Sequence, residues 1–416
     1  MAGHWFILAD DLTGAADCAI AFGRRGLAAA VTWDIAASPD AKLQPVLSFD
    51  ADSRGLSAQA AAERHGCLLE QLLKPDRSLF KKIDSTLRGQ PAAETAATIA
   101  YLMRSNGTAF GICAPAFPAT GRTTVSGHVL VNGRPLEDGE VWQRDRSYPS
   151  ADLAVVLGTA GIKTQAVSLA LVRGADLADC LARIAAAGEV VAICDAETDE
   201  DLTRIAVASL SVAPSPFFIG TGGLARALAG ILEPLSIEPV RFPPSASGSL
   251  IVVGSLAAAS RAATRKLASR DRVAHLSVSP ETLLGDPAGR AALASRVAAV
   301  ILGGDDALIE IAVSDVLDMT IGPRLARSLA EALDPVAEQI GAIAATGGET
   351  AAALLARFGI DGIRLIDEIE PGVSLGLTLG QLTVPVATKA GAFGDADSLI
   401  RISERLRAVR TQGCFS

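Results

Sequence analysis

Phe6-Ile7-Leu8-Ala9-Asp10-Asp11-Leu12-Thr13-Gly14-Ala15-Ala16-Asp17-Cys18 is the stretch on which the fold turns. Residues 6–9 are an unbroken apolar run, as in a strand buried on both faces of a parallel sheet. Two carboxylates, Asp10 and Asp11, end the run. Thr13-Gly14 then opens an Ala-rich helix predicted over 15–25, with Gly26 as its C-cap. A strand that ends in polar groups and turns into a helix is the unit of an α/β protein. Ligands of open α/β sheets bind beyond the carboxyl ends of the strands. Asp10 and Asp11 therefore stand where a site is expected, as general base, metal ligand or clamp for hydroxyl groups. One of the two is expected to do no more than cap the helix.

The same alternation continues outward. Strands are predicted at 28–32, 46–49, 78–82, 109–113, 164–168, 190–194 and 216–220, with helices at 58–73, 92–104, 176–187 and 199–210. Residues 121–138 differ: Thr123–Val125, Val129–Val131 and Asn132-Gly133 read as a β-hairpin with a primed turn, inserted over the sheet edge. A Pro/Ser-rich stretch without periodicity, 238–249, reads as a linker. Strands resume at 250–253, 272–277, 307–313, 341–346, 362–366 and 382–387. The expected architecture is α/β in two domains, 1–237 and 250–416. Each is a largely parallel sheet covered by helices, the first carrying the hairpin insertion.

Composition narrows the function. The chain has 416 residues, 50% hydrophobic and 20% charged, which excludes disorder as the main state. The balance of 37 Lys+Arg against 46 Asp+Glu gives a net charge of −9 and argues against nucleic acid as a partner. Aromatics at 4% leave no stacking platform for single strands. A mean hydropathy of +0.35 leans toward a membrane. Yet the longest uncharged runs, 205–225 and 371–388, are broken by Pro, Gly and Ser, and neither makes a span. The apolar residues belong to buried strands and Ala-rich helices. Six cysteines without a C-x-x-C pair read as free buried thiols. With no leader-like N-terminus, the expected location is the cytoplasm.

Further polar clusters fall at strand ends. Lys82-Ile83-Asp84-Ser85-Thr86-Leu87-Arg88-Gly89 follows the strand at 78–82 and suits an anionic polyhydroxy ligand. Arg54 follows the strand at 46–49, with Asp50, Asp52 and Ser53. Arg122 and His128 lie on the hairpin. Gly220, Gly222 and Ala225 have dinucleotide-type spacing, but the acid this fingerprint needs on the next strand is missing. Close backbone packing is the better reading of these glycines. In the second domain, Val253-Gly254-Ser255, Gly347-Gly348-Glu349-Thr350 and the Lys389–Asp395 loop each follow a strand. Backbone N–H groups in such loops can cradle phosphates. No Gly-Lys pair occurs, which excludes a P-loop. Leu12 stands where a haloacid-dehalogenase-type phosphatase needs its second Asp.

Together these motifs resemble the four-carbon acid sugar kinases, from about Ile7 to Ile400. The resemblance implies a sugar-acid-binding N-terminal domain, an ATP-binding C-terminal domain and chemistry in the cleft between them. It implies a substrate site of Asp10 or Asp11, Arg54, Lys82, Ile83, Asp84 and Ser85, with Arg88 close by. It implies a nucleotide site of Ser255, Gly347, Gly348, Glu349 and Thr350, with Gly391 in the Lys389 loop. ATP and Mg²⁺ are the expected cofactors, and threonate, erythronate or 3-oxo-tetronate the substrate class. Asp10 or Asp11 is expected to accept the proton of the terminal hydroxyl. The cations at the strand ends are expected to make a basic cleft against the global charge. Many members carry Pro-Trp where this chain has Ser374-Leu375. The rival readings are an NAD(P)-dependent oxidoreductase and a non-catalytic effector-binding protein. A homodimer is compatible with so apolar a chain.

Overall fold

A computed structural model describes residues 3–36, 43–139, 142–143, 147–236, 239–254, 257–312, 321–391 and 393–415. The chain divides into two compact units. The first is Met1–Leu27 with Pro45–Leu235, the second Ala28–Gln44 with Ser236–Ser416. Both are mixed α/β units built on mostly parallel strands.

The strands of the first half are β1 (His4–Ala9), β2 (Ala29–Thr32), β3 (Val46–Asp50), β4 (Arg77–Lys82), β5 (Phe110–Ala114), β6 (Arg122–Val125), β7 (His128–Val131), β8 (Arg134–Pro135), β9 (Thr164–Val167), β10 (Val190–Cys194) and β11 (Phe217–Gly220). In the first unit the order is β3-β1-β4-β11-β5-β10-β9, every pair parallel. Successive side chains of β1 point to opposite faces. Trp5 packs on Phe22 of the helix Leu12–Gly23, with ring centroids 4.7 Å apart. Phe6 and Leu8 join a core with Leu68, Leu69 and Leu72 of the helix Ala58–Leu72 and Ile99 of the helix Pro91–Asn106. Helices thus cover both faces, as the apolar runs require.

The predicted hairpin is a three-stranded meander, β6-β7-β8. Ser126 and Gly127 make its first turn and Asn132 and Gly133 its second, all at positive φ, the signature of primed turns. It is fastened beyond the carboxyl end of β10, not over the sheet edge. Asp195 accepts the Ser126 and Gly127 N–H groups, each at 2.9 Å.

The second unit contains β12 (Ser249–Val253), β13 (Val273–Val278), β14 (Asp306–Ile311), β15 (Ala342–Thr346), β16 (Ile360–Glu370), β17 (Val373–Gly380) and β18 (Pro385–Lys389). The order is β13-β14-β12-β15-β18-β17-β16-β2. The first five are parallel, and β17, β16 and β2 add on antiparallel. Three features differ from the sequence reading. β17 falls in the run 371–388, which the sequence shows as broken by Pro371, Gly372, Gly376, Gly380 and Pro385 and in whose first part no strand is predicted. Gly376 is there because a Cβ would meet the Arg364 carbonyl at 2.3 Å across the β16–β17 pair. β2, expected inside the first domain, pairs with β16 through Gly362–Leu365. The segment read as a linker is tied to the second unit from its first described residues: Phe242 N–H donates to Gly413 O (3.0 Å), Ser245 to Arg410 O (2.8 Å) and Gly248 to Ile301 O (2.8 Å).

No helix among the described residues is long and apolar enough to cross a membrane. The six cysteines are free, but only Cys18, Cys113 and Cys194 are buried. Cys67 is exposed, and Cys180 and Cys414 are partly so.

Candidate substrate and nucleotide sites

In the first unit, β1, β3 and β4 end side by side. Ala9 pairs with Asp50 and Leu8 with Lys81, so Asp10, the 50–54 loop and the 82–88 loop leave the sheet together. The Ser53 and Arg54 N–H groups donate to the Asp10 carbonyl, at 3.1 and 3.3 Å. This folds the loop back and sets Arg54 against the acids. Its Nε donates to Asp10 Oδ2 (2.7 Å) and its Nη1 to Asp11 Oδ2 (2.9 Å), while Nη2 lies 3.3 Å from Asp84 Oδ1. Asp84 accepts the Arg88 fork through Nε (3.0 Å) and Nη2 (2.8 Å), and the hydroxyl and N–H of Thr86.

The two adjacent acids differ in what remains open. Asp11 caps the helix Leu12–Gly23: Oδ1 accepts the Gly14 N–H (3.1 Å) and Oδ2 the Thr13 hydroxyl (2.7 Å). Asp10 is buried, and its Oδ1 has no hydrogen-bond partner among the described residues. Such an orphaned acceptor carries a desolvation cost unless something fills it. Glycines make room here. A Cβ on Gly14 would sit 2.5 Å from Lys82 Nζ, and Gly89, at positive φ, would place one 3.2 Å from Asp10 Oδ2.

Burial alone would drive the Lys82 ammonium down, but Asp10 and Asp11 outweigh it and raise it. Arg54 is likewise raised, against the effect of burial, by Asp10, Asp11 and Asp84. Burial works to raise Asp84, yet Arg88 and Arg54 hold it well below the usual carboxylate range. Asp50 goes the other way: burial, reinforced by Asp11, raises it well above that range. Three carboxylates (Asp10, Asp11, Asp84) thus face three cations (Arg54, Lys82, Arg88). The cluster is balanced rather than basic, because each cation at these strand ends meets an acid.

Ser85 is buried beside Asp84. Ile83 can offer only its carbonyl, since its N–H donates to Gly220 O (2.9 Å) and its side chain belongs to the core. Two residues that the sequence shows without a role in the site stand beside this cluster. Asp50 looked like one more strand-end acid, and only burial distinguishes it. Arg122 on β6 feels Asp84 and Arg88 and is lowered chiefly by burial; no local spacing shows that the meander reaches them. The glycines of Gly220–Ala225 are explained by packing. A Cβ on Gly222 would meet Asp17 Oδ2 at 2.1 Å, and one on Gly223 the Ala116 carbonyl at 2.3 Å.

In the second unit, β12, β15 and β18 end in register: Val253 pairs with Thr346, and Thr346 with Lys389. Gly254 N–H donates to Thr346 O (3.2 Å) and Gly347 N–H to Lys389 O (3.0 Å). Gly347, at φ 92°, is the N-cap of the helix Gly348–Arg357, and being glycine it makes no side-chain cap hydrogen bond there. Orphan N–H groups and the positive end of the helix dipole favour an anion there. Thr350 is packed under the loop: a Cβ on Gly254 would meet its hydroxyl at 1.9 Å. Glu349 is exposed at the same end. Ser260 donates to Gly391 O (3.1 Å), which fixes the Lys389 loop. Lys389 is buried, and burial lowers its ammonium to about 8 despite Glu370 and Asp395. Ser255 lies outside the described residues. Ser374 and Leu375, which replace the common Pro-Trp, are both buried: Ser374 pairs with Thr388 at 2.8 Å and Leu375 joins the core. Among the described residues, no group of three or more His, Cys, Asp or Glu is arranged to hold a metal ion.

Comparison with known proteins finds two family signatures along the chain. Residues 5–228 match the family described as a sugar-binding N-terminal domain, and 250–399 that described as a nucleotide-binding C-terminal domain. The chain is 40% identical to the D-threonate kinase of Cupriavidus necator, over 95% of this chain and 96% of that one. It is 35% identical to the D-threonate kinase of Bordetella bronchiseptica, over 97% and 98%. A solved Haemophilus influenzae protein of the DUF1537 family shares the fold, with a TM-score of 0.72 at 20% identity, covering 97% of this chain and 100% of that one. With both domain signatures in order and this identity over nearly its full length, the chain belongs to the four-carbon acid sugar kinase family, DUF1537.

Proposed function

We propose that this protein is an ATP-dependent kinase that phosphorylates the terminal hydroxyl of a four-carbon sugar acid, with D-threonate as its foremost substrate. The observation that carries the mechanism is the contrast between the two acids. Both Asp11 oxygens already accept hydrogen bonds, Oδ1 from the Gly14 N–H and Oδ2 from the Thr13 hydroxyl and Arg54, whereas Asp10 Oδ1 is buried and open. Asp10 is therefore the group that orients the hydroxyl and takes its proton as the phosphoryl group arrives. Arg54 holds Asp10 in place. Arg88 commits Nε and Nη2 to Asp84 and keeps its Nη1 hydrogens for the substrate carboxylate. Lys82 adds a buried positive charge, and Ser85 a neutral donor.

The triphosphate takes the uncapped start of the helix Gly348–Arg357, with Gly347, Gly348 and Thr350 as its cradle and Gly391 and Lys389 beside it. Ser255 is assigned with them. Positioning and charge stabilisation account for most of the catalysis in such transfers. Mg²⁺ enters as part of the nucleotide substrate. It commonly keeps several waters and needs only one or two carboxylates, a demand that Glu349 can meet. The reading places the protein in the cytoplasm, where ATP is at hand and six free thiols stay reduced.

The decisive assay is ATP-dependent phosphorylation of a panel of threonate, erythronate and 3-oxo-tetronate isomers. D-threonate is expected to give the highest kcat/KM. If no acid of the panel is phosphorylated while NADH shifts the thermal transition and ATP does not, the kinase reading fails.

A further inference from the structure

Directly behind the Asp10–Arg54 cluster lies a second set of polar groups that the mechanism leaves unused. Lys81, Glu94, Ser53 and His65 are all at most 1% exposed. Lys81 Nζ lies 2.7 Å from Glu94 Oε2 and donates to the Lys82 carbonyl at 2.6 Å. The Ser53 hydroxyl donates to Glu94 Oε1 at 2.7 Å and is 2.9 Å from His65 Nε2. Ser53 has one hydroxyl hydrogen, and Glu94 takes it. His65 must therefore donate its Nε2–H to Ser53, which leaves Nδ1 as the unprotonated, unpartnered nitrogen. Glu94 stands in the first turn of the helix Pro91–Asn106, where the helix dipole favours a carboxylate.

The connectivity gives this network its meaning. Ser53 immediately precedes Arg54, and Lys81 immediately precedes Lys82. One carboxylate thus grips both chain segments that deliver the cations of the substrate cluster. A buried ion pair is seldom the most stabilising filling for such a space, since apolar residues of like volume often do as well or better. Stability alone does not account for four polar groups here.

We propose that Glu94 is a positioning residue: through Ser53 and Lys81 it fixes the loop of Arg54 and the end of β4, so that Arg54 holds Asp10 and Lys82 meets the sugar acid in the reactive geometry. Glu94 touches no substrate. The inference rests on the sugar-acid reading of the cluster, and its test separates the two.

Ser53→Ala removes one hydroxyl and leaves the Lys81–Glu94 pair intact, so it is the variant expected to fold normally. Glu94→Gln breaks the pair itself. For S53A, kcat/KM for the sugar acid is expected to fall about 10-fold, with KM for ATP within twofold of wild type and the thermal transition lowered by only a few degrees, for the buried His65 and Glu94 contacts that the hydroxyl makes. E94Q is expected to lose 100-fold or more, again without a change in KM for ATP. Crystal structures of both variants supply a readout independent of turnover: Arg54 Nε is expected to leave Asp10 Oδ2, its 2.7 Å partner in the parent protein. If both variants keep kcat/KM within twofold, or Arg54 stays seated on Asp10 in both, the positioning role is wrong. If the wild type phosphorylates no acid, the kinase reading falls, and the Arg54–Asp10 geometry of the two variants still decides the network.

Discussion

At the scale of single residues, two neighbouring carboxylates meet different surroundings: Asp11 Oδ1 and Oδ2 are both hydrogen-bonded, while Asp10 Oδ1 is buried without a partner among the described residues. Asp10→Asn is expected to lower kcat by 100-fold or more with little change in KM for the acid, in steady-state assays. Asp11→Ala is expected to cost about 1 kcal/mol of stability through the lost cap, read by urea unfolding. Equal kcat losses from D10N and D11N would contradict this division. Lys389 offers a pH test. Its folded value of about 8 lies below the ordinary lysine value, so the charged form is lost as pH rises through 8. KM for ATP is expected to climb between pH 7.5 and 9, and a Lys389→Arg variant should flatten that rise. His65 gives a stability test. Burial, with Lys81 adding, lowers it to about 4, so the unfolded chain binds more protons than the folded one between roughly pH 6.5 and 4. Stability should therefore fall by up to about 3 kcal/mol as pH drops through that window. Urea midpoints at pH 7, 5 and 4 for wild type and His65→Gln would show it, the variant losing less.

At the scale of elements, glycines and caps set what the strand ends can present. Gly14 lies inside the helix Leu12–Gly23, where alanine is intrinsically better by about 1 kcal/mol. The added Cβ would nevertheless fall 2.5 Å from Lys82 Nζ. Gly14→Ala is thus expected to leave the thermal transition within a few degrees while raising KM for the sugar acid severalfold. The β6–β8 meander hangs on Asp195. Asp195→Ala leaves two N–H groups without their acceptor, at about 1–3 kcal/mol, and should loosen the element that brings Arg122 toward Asp84. Most strand positions were legible because a strand buried on both faces must be continuously apolar. β1 and β10 are the clearest cases. β17 was not, because its glycines serve a close approach to β16 that only the pairing creates.

At the scale of the molecule, the chain does not pass from one unit to the next once. It leaves the first unit after Leu27, contributes β2 to the second, and re-enters at Pro45. A fragment of residues 236–416 therefore lacks the strand that pairs with β16 and exposes that edge. It is expected to melt lower and to aggregate more readily than the same fragment fused to residues 28–44. Static light scattering during thermal melts would show this.

The sequence by itself determined the α/β class, the strands and the polar loops at their ends, because hydrophobic period and turn chemistry are local. It also carried the family's motifs and so the candidate residues Asp10, Arg54, Lys82, Asp84 and the Gly347–Thr350 loop. Only the tertiary structure decided which aspartate is open, because that depends on which hydrogen bonds Asp11 makes with the helix and Arg54 makes with both acids. It decided that the cations are matched by acids, since charge balance is a property of neighbours in space. It also decided that Glu94, a helix residue 41 positions from Ser53, stands behind the Asp10–Arg54 cluster. Burial and long-range pairing have no signature in local spacing.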